Sequence, residues 1–368
     1  MSKVLFINNY YEGTGYSNAG IDFILALDAA GVNVVPKALR LSGNRFPIPE
    51  RVKELEKNDD KNASINIQYT LPSLMYYNGN YKNVGMFELD VNQIPNSWSR
   101  NLKLMDVVIG TNSHQLVACD KKGLKLSKIP HPTNVKKYQQ SYEKFNIPIL
   151  KDKFVFYFIG ELNKRKNLSA LLQAFHLEFK PNEPVEIVIK AHIPGKNSEF
   201  NRIEVDKYCA EVKKGMKLYA SLDRYKKEII IPEYISDDDI MKLHSTCDCF
   251  VMPSYGEGWS KPTFDAMAMG KTPIVNNVGG MKEDITEQNG WLCENTEENC
   301  FGCVDNGIEL FNSKQTWNKI NIQSLRKAMR EAYENKGLKE AKSERGMEDA
   351  LEYSYLKVGN KFRELLNV

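Results

Sequence analysis

Two acidic side chains, Glu257 and Asp265, lie eight positions apart in a stretch whose residue types suit ligand binding. The short apolar run Cys249–Met252 before them predicts a buried strand. Pro262 is typical of the first turn of a helix and Gly270 of a helix end, which places Asp265 within the first turn of the next helix. Glu257 would then lie in the loop at the carboxyl end of the strand, where open α/β sheets bind ligands. The free N–H groups of such a helix N-terminus suit a phosphate.

The residues around these two acids carry a resemblance to a known family. Residues 253–275 resemble the donor-sugar motif of retaining glycosyltransferases of the GT-B fold, family 4, in which seven residues separate two glutamates. The resemblance implies that Glu257 holds hydroxyls of the transferred sugar. It also implies that Asp265, which stands in place of the second glutamate, accepts hydrogen bonds from the ribose. Main-chain N–H groups over the sugar and phosphate would come from the turn residues Gly258, Trp259, Ser260 and Lys261. The alternative is a loop acid and an unrelated acid that only favours the helix dipole.

A second segment, residues 160–167, supplies cations directly after the predicted strand 154–159. It resembles the family's turn from glycine to Arg-Lys-Asn, whose basic residues grip the donor diphosphate. Arg165 and Lys166 match that pair, and Arg can contact phosphate in two-pronged fashion whereas Lys acts as a point charge. Many relatives carry a basic residue just after the glycine, where this chain has Glu161. A solvated basic loop is the alternative interpretation.

Two further segments of the second half are expected to reach the donor nucleotide. Lys190 follows the predicted strand 185–189 and could contact the nucleotide. Tyr234 and Ile235 lie in a loop that matches the family's loop whose backbone usually meets the nucleotide base.

Near the N-terminus, Gly13 and Gly15 follow the predicted strand 4–7 and precede a helical pattern. Glycines at such a turn let main-chain N–H groups approach a phosphate closely. A dinucleotide fingerprint would need glycine at position 18, where Asn18 stands. As the first loop of a GT-B domain, this segment is implied to bind donor phosphate or acceptor, and we expect Tyr16 to contact the acceptor.

Glu88 and Asp90 follow the predicted strand 84–86, in a segment that resembles part of some family 4 members. Either carboxylate could orient the acceptor hydroxyl, or the segment could simply cap a helix. Ser113 and His114 follow the predicted strand 107–109, and they are acceptor-binding candidates by position. His131, in a turn that also resembles the family, is expected to be structural rather than catalytic.

Strand-like apolar runs alternate with helical patterns from end to end, which predicts an α/β protein with parallel sheets covered by helices. The predicted strands are 4–7, 32–35, 65–67, 84–86, 107–109, 128–129, 154–159, 185–189, 229–231, 249–252, 272–275 and 291–292. The resemblance implies a GT-B fold, with two Rossmann-like domains facing a central cleft. We expect an acceptor domain over residues 1–150, a donor domain over 151–344, and a closing helix at about 345–368 that packs back on the first domain.

Composition limits the classes of function without choosing one. The chain of 368 residues exceeds one typical domain, and its net charge of +3 neither demands nor excludes a nucleic-acid partner. No apolar run is long enough to span a membrane, and the N-terminus predicts a strand rather than a signal peptide, so we expect a cytoplasmic protein without a transmembrane segment. Seven cysteines at irregular spacing favour a reducing compartment, and Cys300 and Cys303 are expected to be free thiols because no second pair accompanies them.

Together these expectations describe a retaining glycosyltransferase that moves a hexosyl or pentosyl unit from a UDP- or GDP-sugar, without a metal or other cofactor. A glycan or a lipid-linked sugar is the favoured acceptor. Two alternatives stay open. One is glycosylation of a hydroxylated base in DNA. Basic side chains such as Lys121 and Lys122 could flank the DNA backbone. The other is a nucleotide-binding Rossmann protein without transferase activity, against which the missing glycine fingerprint argues.

Overall fold

The computed structural model describes residues 3–43, 45–120, 122–304 and 309–368, so Lys121 lies outside the described residues. The chain divides into two compact units. Unit 1 comprises Met1–Val135 together with Ala350–Val368, and unit 2 comprises Lys136–Asp349. Residues 136–150, which we expected in the first domain, therefore belong to unit 2.

The elements follow one another in the alternating order that the sequence predicts. The strands are β1 Lys3–Asn8, β2 Asn33–Ala38, β3 Ala63–Tyr69, β4 Lys82–Met86, β5 Val107–Gly110, β6 Leu126–Lys128, β7 Phe154–Glu161, β8 Val185–His192, β9 Ile229–Ile231, β10 Cys249–Met252, β11 Thr272–Asn276, β12 Trp291–Cys293, β13 Asn295–Asn299 and β14 Thr316–Ile320. The helices are α1 Gly15–Ala29, α2 Glu50–Glu56, α3 Asn96–Leu102, α4 Ser113–Asp120, α5 Val135–Tyr138, α6 Leu168–Glu178, α7 Ser198–Met216, α8 Asp237–Thr246, α9 Lys261–Ala268, α10 Met281–Asp284, α11 Ile322–Glu334, α12 Lys336–Ala350 and α13 Tyr355–Leu366.

Unit 1 is built on a six-stranded sheet in the order β2-β1-β3-β4-β5-β6, and each neighbouring pair is parallel. Its core is aromatic, with Phe6, Phe23 and Tyr69 buried. The C-terminal helix α13 belongs to this unit, where Phe362 meets Phe23 edge to face at 5.8 Å between ring centroids. Gly359 makes the approach possible, because a Cβ there would lie 2.0 Å from the carbonyl oxygen of Ala26.

Unit 2 carries a second six-stranded parallel sheet, in the order β12-β11-β10-β7-β8-β9. The helical spacing in the sequence correctly placed Leu168, Leu171, Leu172 and Phe175 of α6 in the core, where all four are buried. Parallel sheets with covering helices in both units confirm the predicted fold class. Each predicted strand overlaps a strand of the structure.

One element was not predicted, the antiparallel hairpin of β13 and β14. Its strands carry polar residues such as Glu297 and Glu298, so no alternating apolar pattern marks them. Trp317 of β14 is buried and stacks on Tyr255 at 4.5 Å, and the main-chain N–H of Asn318 donates to the Tyr255 carbonyl at 2.9 Å. The hairpin therefore supports the loop that follows β10.

The seven cysteines all lie among the described residues and are free thiols, six of them buried and Cys303 half-buried. Within the described ranges, we find no helix with both the length and the apolar character that a membrane crossing requires.

Candidate functional site

The loop that follows β10 places Glu257 at the carboxyl end of the unit 2 sheet, where the sequence predicted it. The side chain is buried; its Oε1 accepts a hydrogen bond from Lys166 Nζ at 2.7 Å and forms an ion pair with Arg165 Nη1 at 2.9 Å. Burial opposes ionisation of Glu257, but the charges of Arg165 and Lys166, with hydrogen bonds from Lys166 and Ser254, outweigh it and lower the pKa of the carboxyl group. The site is therefore an ionised carboxylate held between two cations.

Main-chain contacts join the Arg165–Lys166 loop to the Glu257 loop. Arg165 Nη1 also donates to the Gly256 carbonyl at 2.7 Å, and the Tyr255 N–H donates to the Arg165 carbonyl at 2.9 Å. Asn167, in the left-handed conformation at φ +54°, donates from Nδ2 to the Pro253 carbonyl at 3.1 Å. These hydrogen bonds thus join the two loops and place both cations beside the carboxylate.

Two glycines missed by the sequence analysis bring a third loop, the one after β11, against the same carboxylate loop. A Cβ on Gly279, which has φ +52°, would lie 1.7 Å from the Glu257 carbonyl oxygen. A Cβ on Gly280 would lie 2.8 Å from the Gly258 carbonyl oxygen. Any side chain at these positions would displace the main chain of Glu257 or Gly258. The signal was a Gly-Gly pair just past a predicted strand, which indicates a close backbone approach.

The turn into α9 has Ser260 at φ +74° and Pro262 in the first turn, as the sequence predicted for the proline. Trp259 is buried and stacks on Phe264 at 4.3 Å. The Trp259 side chain therefore packs in the core, and the main-chain contact that we predicted for it stays a prediction.

The predicted position of Asp265 was slightly wrong. Because α9 begins at Lys261, Asp265 lies just beyond the first turn rather than within it. Both carboxylate oxygens of Asp265 lie 3.1 Å from Lys261 Nζ, one turn earlier on the same helix. The second acid of the motif is thus also paired with a cation.

Lys190 lies within β8 rather than after it, and it is 5% exposed. Its Nζ is 3.3 Å from His192 Nδ1 and 6.0 Å from the ring centroid of Tyr234. Burial lowers the pKa of both Lys190 and His192. Tyr234 is exposed and Ile235 half-buried in the loop between β9 and α8. His192 was not predicted, because a single histidine at a strand end has no distinguishing neighbour in sequence.

In unit 1, Glu88 is surrounded by hydroxyl and imidazole donors. Its Oε1 accepts from Tyr69 OH at 3.0 Å and from His131 Nε2 at 2.7 Å, and its Oε2 accepts from Thr111 Oγ1 at 3.1 Å. Tyr16 stacks on Tyr69 with ring centroids 4.4 Å apart. Glu88 therefore anchors a buried network instead of capping a helix, and His131 is one of its fixed donors.

The remaining predicted residues of unit 1 lie around the ends of β1, β4 and β5. Gly13 adopts φ +67°, where a Cβ would lie 2.6 Å from the Phe46 ring, and Gly15 is the first residue of α1. Asp90 is half-buried two residues beyond Glu88. Ser113 is exposed at the start of α4, and His114 Nε2 lies 3.3 Å from the Val91 carbonyl oxygen.

Several known proteins are similar to this chain in sequence or in fold. Residues 139–301 match the model of the family described as Glycosyl transferases group 1. The serotype-specific mannosyltransferase WbdA of Escherichia coli is 25% identical over 161 residues, which are 43% of this chain and 17% of that protein. A glycogen synthase of Clostridium kluyveri is 24% identical over 182 residues, 44% of this chain and 38% of that protein. The chain therefore spans well under half the length of these curated relatives.

Solved structures match over the full chain. Anabaena Alr3699/HepE in complex with UDP-glucose has a TM-score of 0.70 and 14% identity, covering 100% of both chains. Sucrose-phosphate synthase from Thermosynechococcus elongatus has a TM-score of 0.69 and 14% identity, covering 100% of this chain and 98% of that one. The chain has the two-domain α/β fold of these GT-B structures, and residues 139–301 are similar to the glycosyl transferases group 1.

Proposed function

We propose that this protein is a retaining, family 4 glycosyltransferase that transfers a hexosyl or pentosyl unit from a UDP- or GDP-sugar to an acceptor hydroxyl in the cytoplasm. The observation that carries the proposal is the ionised Glu257 between Arg165 and Lys166, next to the turn into α9. Two cations and a helix N-terminus are what a leaving diphosphate requires, and a carboxylate is what sugar hydroxyls require. A complex with UDP-glucose in one structural neighbour supports a nucleotide-sugar donor.

The proposed reaction breaks one bond and forms one bond at C1 of the sugar. The bond between C1 of the sugar and the diphosphate oxygen breaks, and the acceptor oxygen bonds to C1 on the same face. The acceptor proton passes to the departing phosphate oxygen, so no separate base is needed. Arg165 and Lys166 stabilise the charge that grows on the diphosphate, and Glu257 orients the sugar through its hydroxyls. Since these side-chain cations supply the electrostatic stabilisation, the proposal requires no metal ion.

The acceptor would be a glycan or a lipid-linked sugar, as the mannosyltransferase relative suggests. We propose that unit 1 provides its contacts through Tyr16, Glu88 and Asp90, with Ser113 and His114 nearby in the same unit. Hydroxyl and imidazole donors around Glu88 fix its carboxylate, and Oε2, which accepts from Thr111 alone of these three donors, retains lone-pair capacity for a sugar hydroxyl.

Thermal unfolding with a panel of UDP-, GDP- and ADP-sugars tests the donor. A bound donor should stabilise the protein by about 3 kcal/mol at a hundredfold excess over its dissociation constant. The same panel with EDTA should give the same shifts and the same transfer rate, and NMR of the product should show the anomeric configuration of the donor. If no nucleotide sugar raises the unfolding temperature, the proposed function is wrong.

The salt dependence of acceptor binding distinguishes a DNA acceptor from a glycan acceptor. Binding of a DNA acceptor would weaken steeply with salt because phosphate contacts release counterions, whereas a glycan acceptor would bind almost independently of salt. A steep salt dependence would therefore replace the glycan acceptor by the nucleic-acid alternative.

A further inference from the structure

Lys190 is a nearly buried cation with few partners. It is 5% exposed, and among the described residues its ammonium group finds one hydrogen-bond acceptor, His192 Nδ1 at 3.3 Å. Within the part of the chain that the structure describes, no carboxylate comes within 4.0 Å of Lys190 Nζ. An ammonium group carries three N–H donors, and a desolvated charge with unused donors is costly. Such a group is explained most simply by a ligand that accepts its remaining hydrogen bonds.

The contact with His192 fixes what the pair can offer. An ammonium group only donates, so Nδ1 of His192 must accept, and the proton of the neutral ring then lies on Nε2. Burial, with the charge of Lys190, lowers the pKa of His192, so the neutral ring persists at neutral pH. Lys190 and His192 therefore present hydrogen-bond donors to a ligand, and the acceptor atom Nδ1 is already occupied.

The strand order separates this pair from the phosphate-binding cations. Arg165 and Lys166 follow β7, and Glu257 follows β10, which is the neighbour of β7 on one side. Lys190 lies on β8, the neighbour of β7 on the other side, about 5 Å further along the sheet. The next strand, β9, leads into the loop of Tyr234, whose side chain is 63% exposed. A nucleotide with its diphosphate at β7 and β10 can extend along the strand ends toward β8 and β9, and the exposed aromatic ring there can stack on a base.

We infer that Lys190 selects the base of the donor nucleotide by its carbonyl edge, so that uracil or guanine is accepted and cytosine or adenine is rejected. This inference rests on the proposed function and deepens it by naming the residue that chooses the donor. Uracil and guanine carry a carbonyl oxygen where cytosine and adenine carry an amino group. An amino group would set donor against donor and leave the remaining N–H donors of the buried Lys190 ammonium without an acceptor. Sites of this kind discriminate strongly, because the wrong ligand leaves a polar group unpaired.

Calorimetric titration of the full chain with UDP, GDP, CDP, ADP and ribose 5-diphosphate tests the inference. Ribose 5-diphosphate has no base and reports the phosphate and ribose contacts alone. The wild-type protein should bind UDP or GDP at least tenfold more tightly than CDP and ADP. Lys190→Met should reduce that preference to less than threefold and leave the affinity for ribose 5-diphosphate unchanged. Lys196→Met removes an exposed cation from the loop after β8. It is the matched control and should bind like the wild type.

A variant that gains affinity distinguishes a changed base preference from a loss of structure. Lys190→Gln places an amide at the same position, which can accept from an amino group, and it should bind CDP or ADP more tightly than the wild type does. An unchanged preference in Lys190→Met overturns the inference. Equal losses for UDP and ribose 5-diphosphate also overturn it, because Lys190 would then contact phosphate. If the wild type binds none of the nucleotides, the proposed function fails together with the inference.

Discussion

Two carboxylates, the buried Glu257 of unit 2 and the half-buried Glu88 of unit 1, are held in opposite ways. Glu257 of unit 2 is held by two cations, Arg165 and Lys166. Glu88 of unit 1 is held by a tyrosine, a threonine and a histidine that are fixed by the surrounding core. A cation that pairs with a carboxylate can also pair with an incoming anion. A neutral hydroxyl group that is fixed in a core attracts an incoming anion less strongly than a cation does. The difference indicates that unit 2 is built to admit a charged ligand and unit 1 to hold a carboxylate in one orientation.

The unit 2 site carries a net positive charge before any ligand binds, since two cations pair with a single carboxylate. An incoming diphosphate would therefore find an attractive site without first breaking both ion pairs. In unit 1, the stacked Tyr16 and Tyr69 rings and the buried His131 restrict the Glu88 side chain instead. Removing a cation, neutralising each carboxylate or changing the second acid of the unit 2 motif would each test this contrast.

Lys166→Ala should have the largest effect, because it removes one of the two cations that stabilise the departing diphosphate. We expect turnover to fall by roughly 10²–10³-fold, the usual loss for one preorganised electrostatic contact. The protein should stay folded, since Arg165 still pairs with Glu257. Steady-state kinetics with the donor found in the panel measures the effect. Lys164→Ala removes an exposed lysine from the same loop and should change turnover little; equal losses in both variants would break the comparison.

Glu257→Gln should lower turnover by roughly ten- to a hundredfold, because an amide makes weaker hydrogen bonds to sugar hydroxyls than a carboxylate does. The same substitution should not weaken binding of the free nucleoside diphosphate. The substitution removes the internal counter-charge of Arg165 and Lys166, so the affinity for the free nucleoside diphosphate should be unchanged or higher. Calorimetry on the folded variant decides this, and a clear drop in affinity for the free diphosphate would mean that Glu257 contacts the nucleotide and not the sugar.

The sheet architecture was predictable because its signal is local. Strands buried on both faces leave continuous apolar runs, such as residues 154–159 and 249–252, and every such run became a strand. The hairpin of β13 and β14 was missed because its stability comes from Trp317 packing on Tyr255, a contact between residues far apart in sequence. A polar strand held by tertiary contacts has no periodic signature.

The two carboxylate sites differ in the same respect. In unit 2 the two basic residues and the two acids each lie within one short motif, so the sequence indicated Arg165, Lys166 and Glu257 together. In unit 1 the donors to Glu88 come from three separate strand ends, at Tyr69, Thr111 and His131. No spacing rule connects these positions, and the fold alone brings them together. The Gly279–Gly280 approach was readable in principle, since adjacent glycines after a strand indicate backbone contact.

Glu88→Gln should act mainly on stability. The amide nitrogen would replace an oxygen that accepts from Thr111 or from Tyr69 and His131, so one buried donor would lose its acceptor. Such a loss costs about 1–3 kcal/mol. Urea unfolding of Glu88→Gln beside Glu257→Gln measures the contrast directly: the unit 1 variant should lose about this much stability, and the unit 2 variant should lose more because two nearly buried cations lose their counter-charge. The contrast would be weakened if both variants unfolded at the same urea concentration as the wild type.

The smallest effects are expected at Asp265, the acid that departs from the family's usual glutamate. Its carboxylate is shared with Lys261, with both oxygens 3.1 Å from Nζ, so it resembles Glu257 in having a cationic and therefore exchangeable partner. If Asp265 accepts from the ribose, Asp265→Asn should weaken binding of the free nucleoside diphosphate by about 1–2 kcal/mol, the usual contribution of a hydrogen bond to a charged group. Asp265→Glu extends the carboxylate by one methylene group and restores the usual residue, and we expect an affinity within about threefold of the wild type because the pair with Lys261 can still form. Calorimetry with the free diphosphate on both variants measures these shifts. A loss in Asp265→Glu as large as that in Asp265→Asn would show that the shorter side chain is required at this helix position, and a loss in neither would remove Asp265 from the nucleotide site.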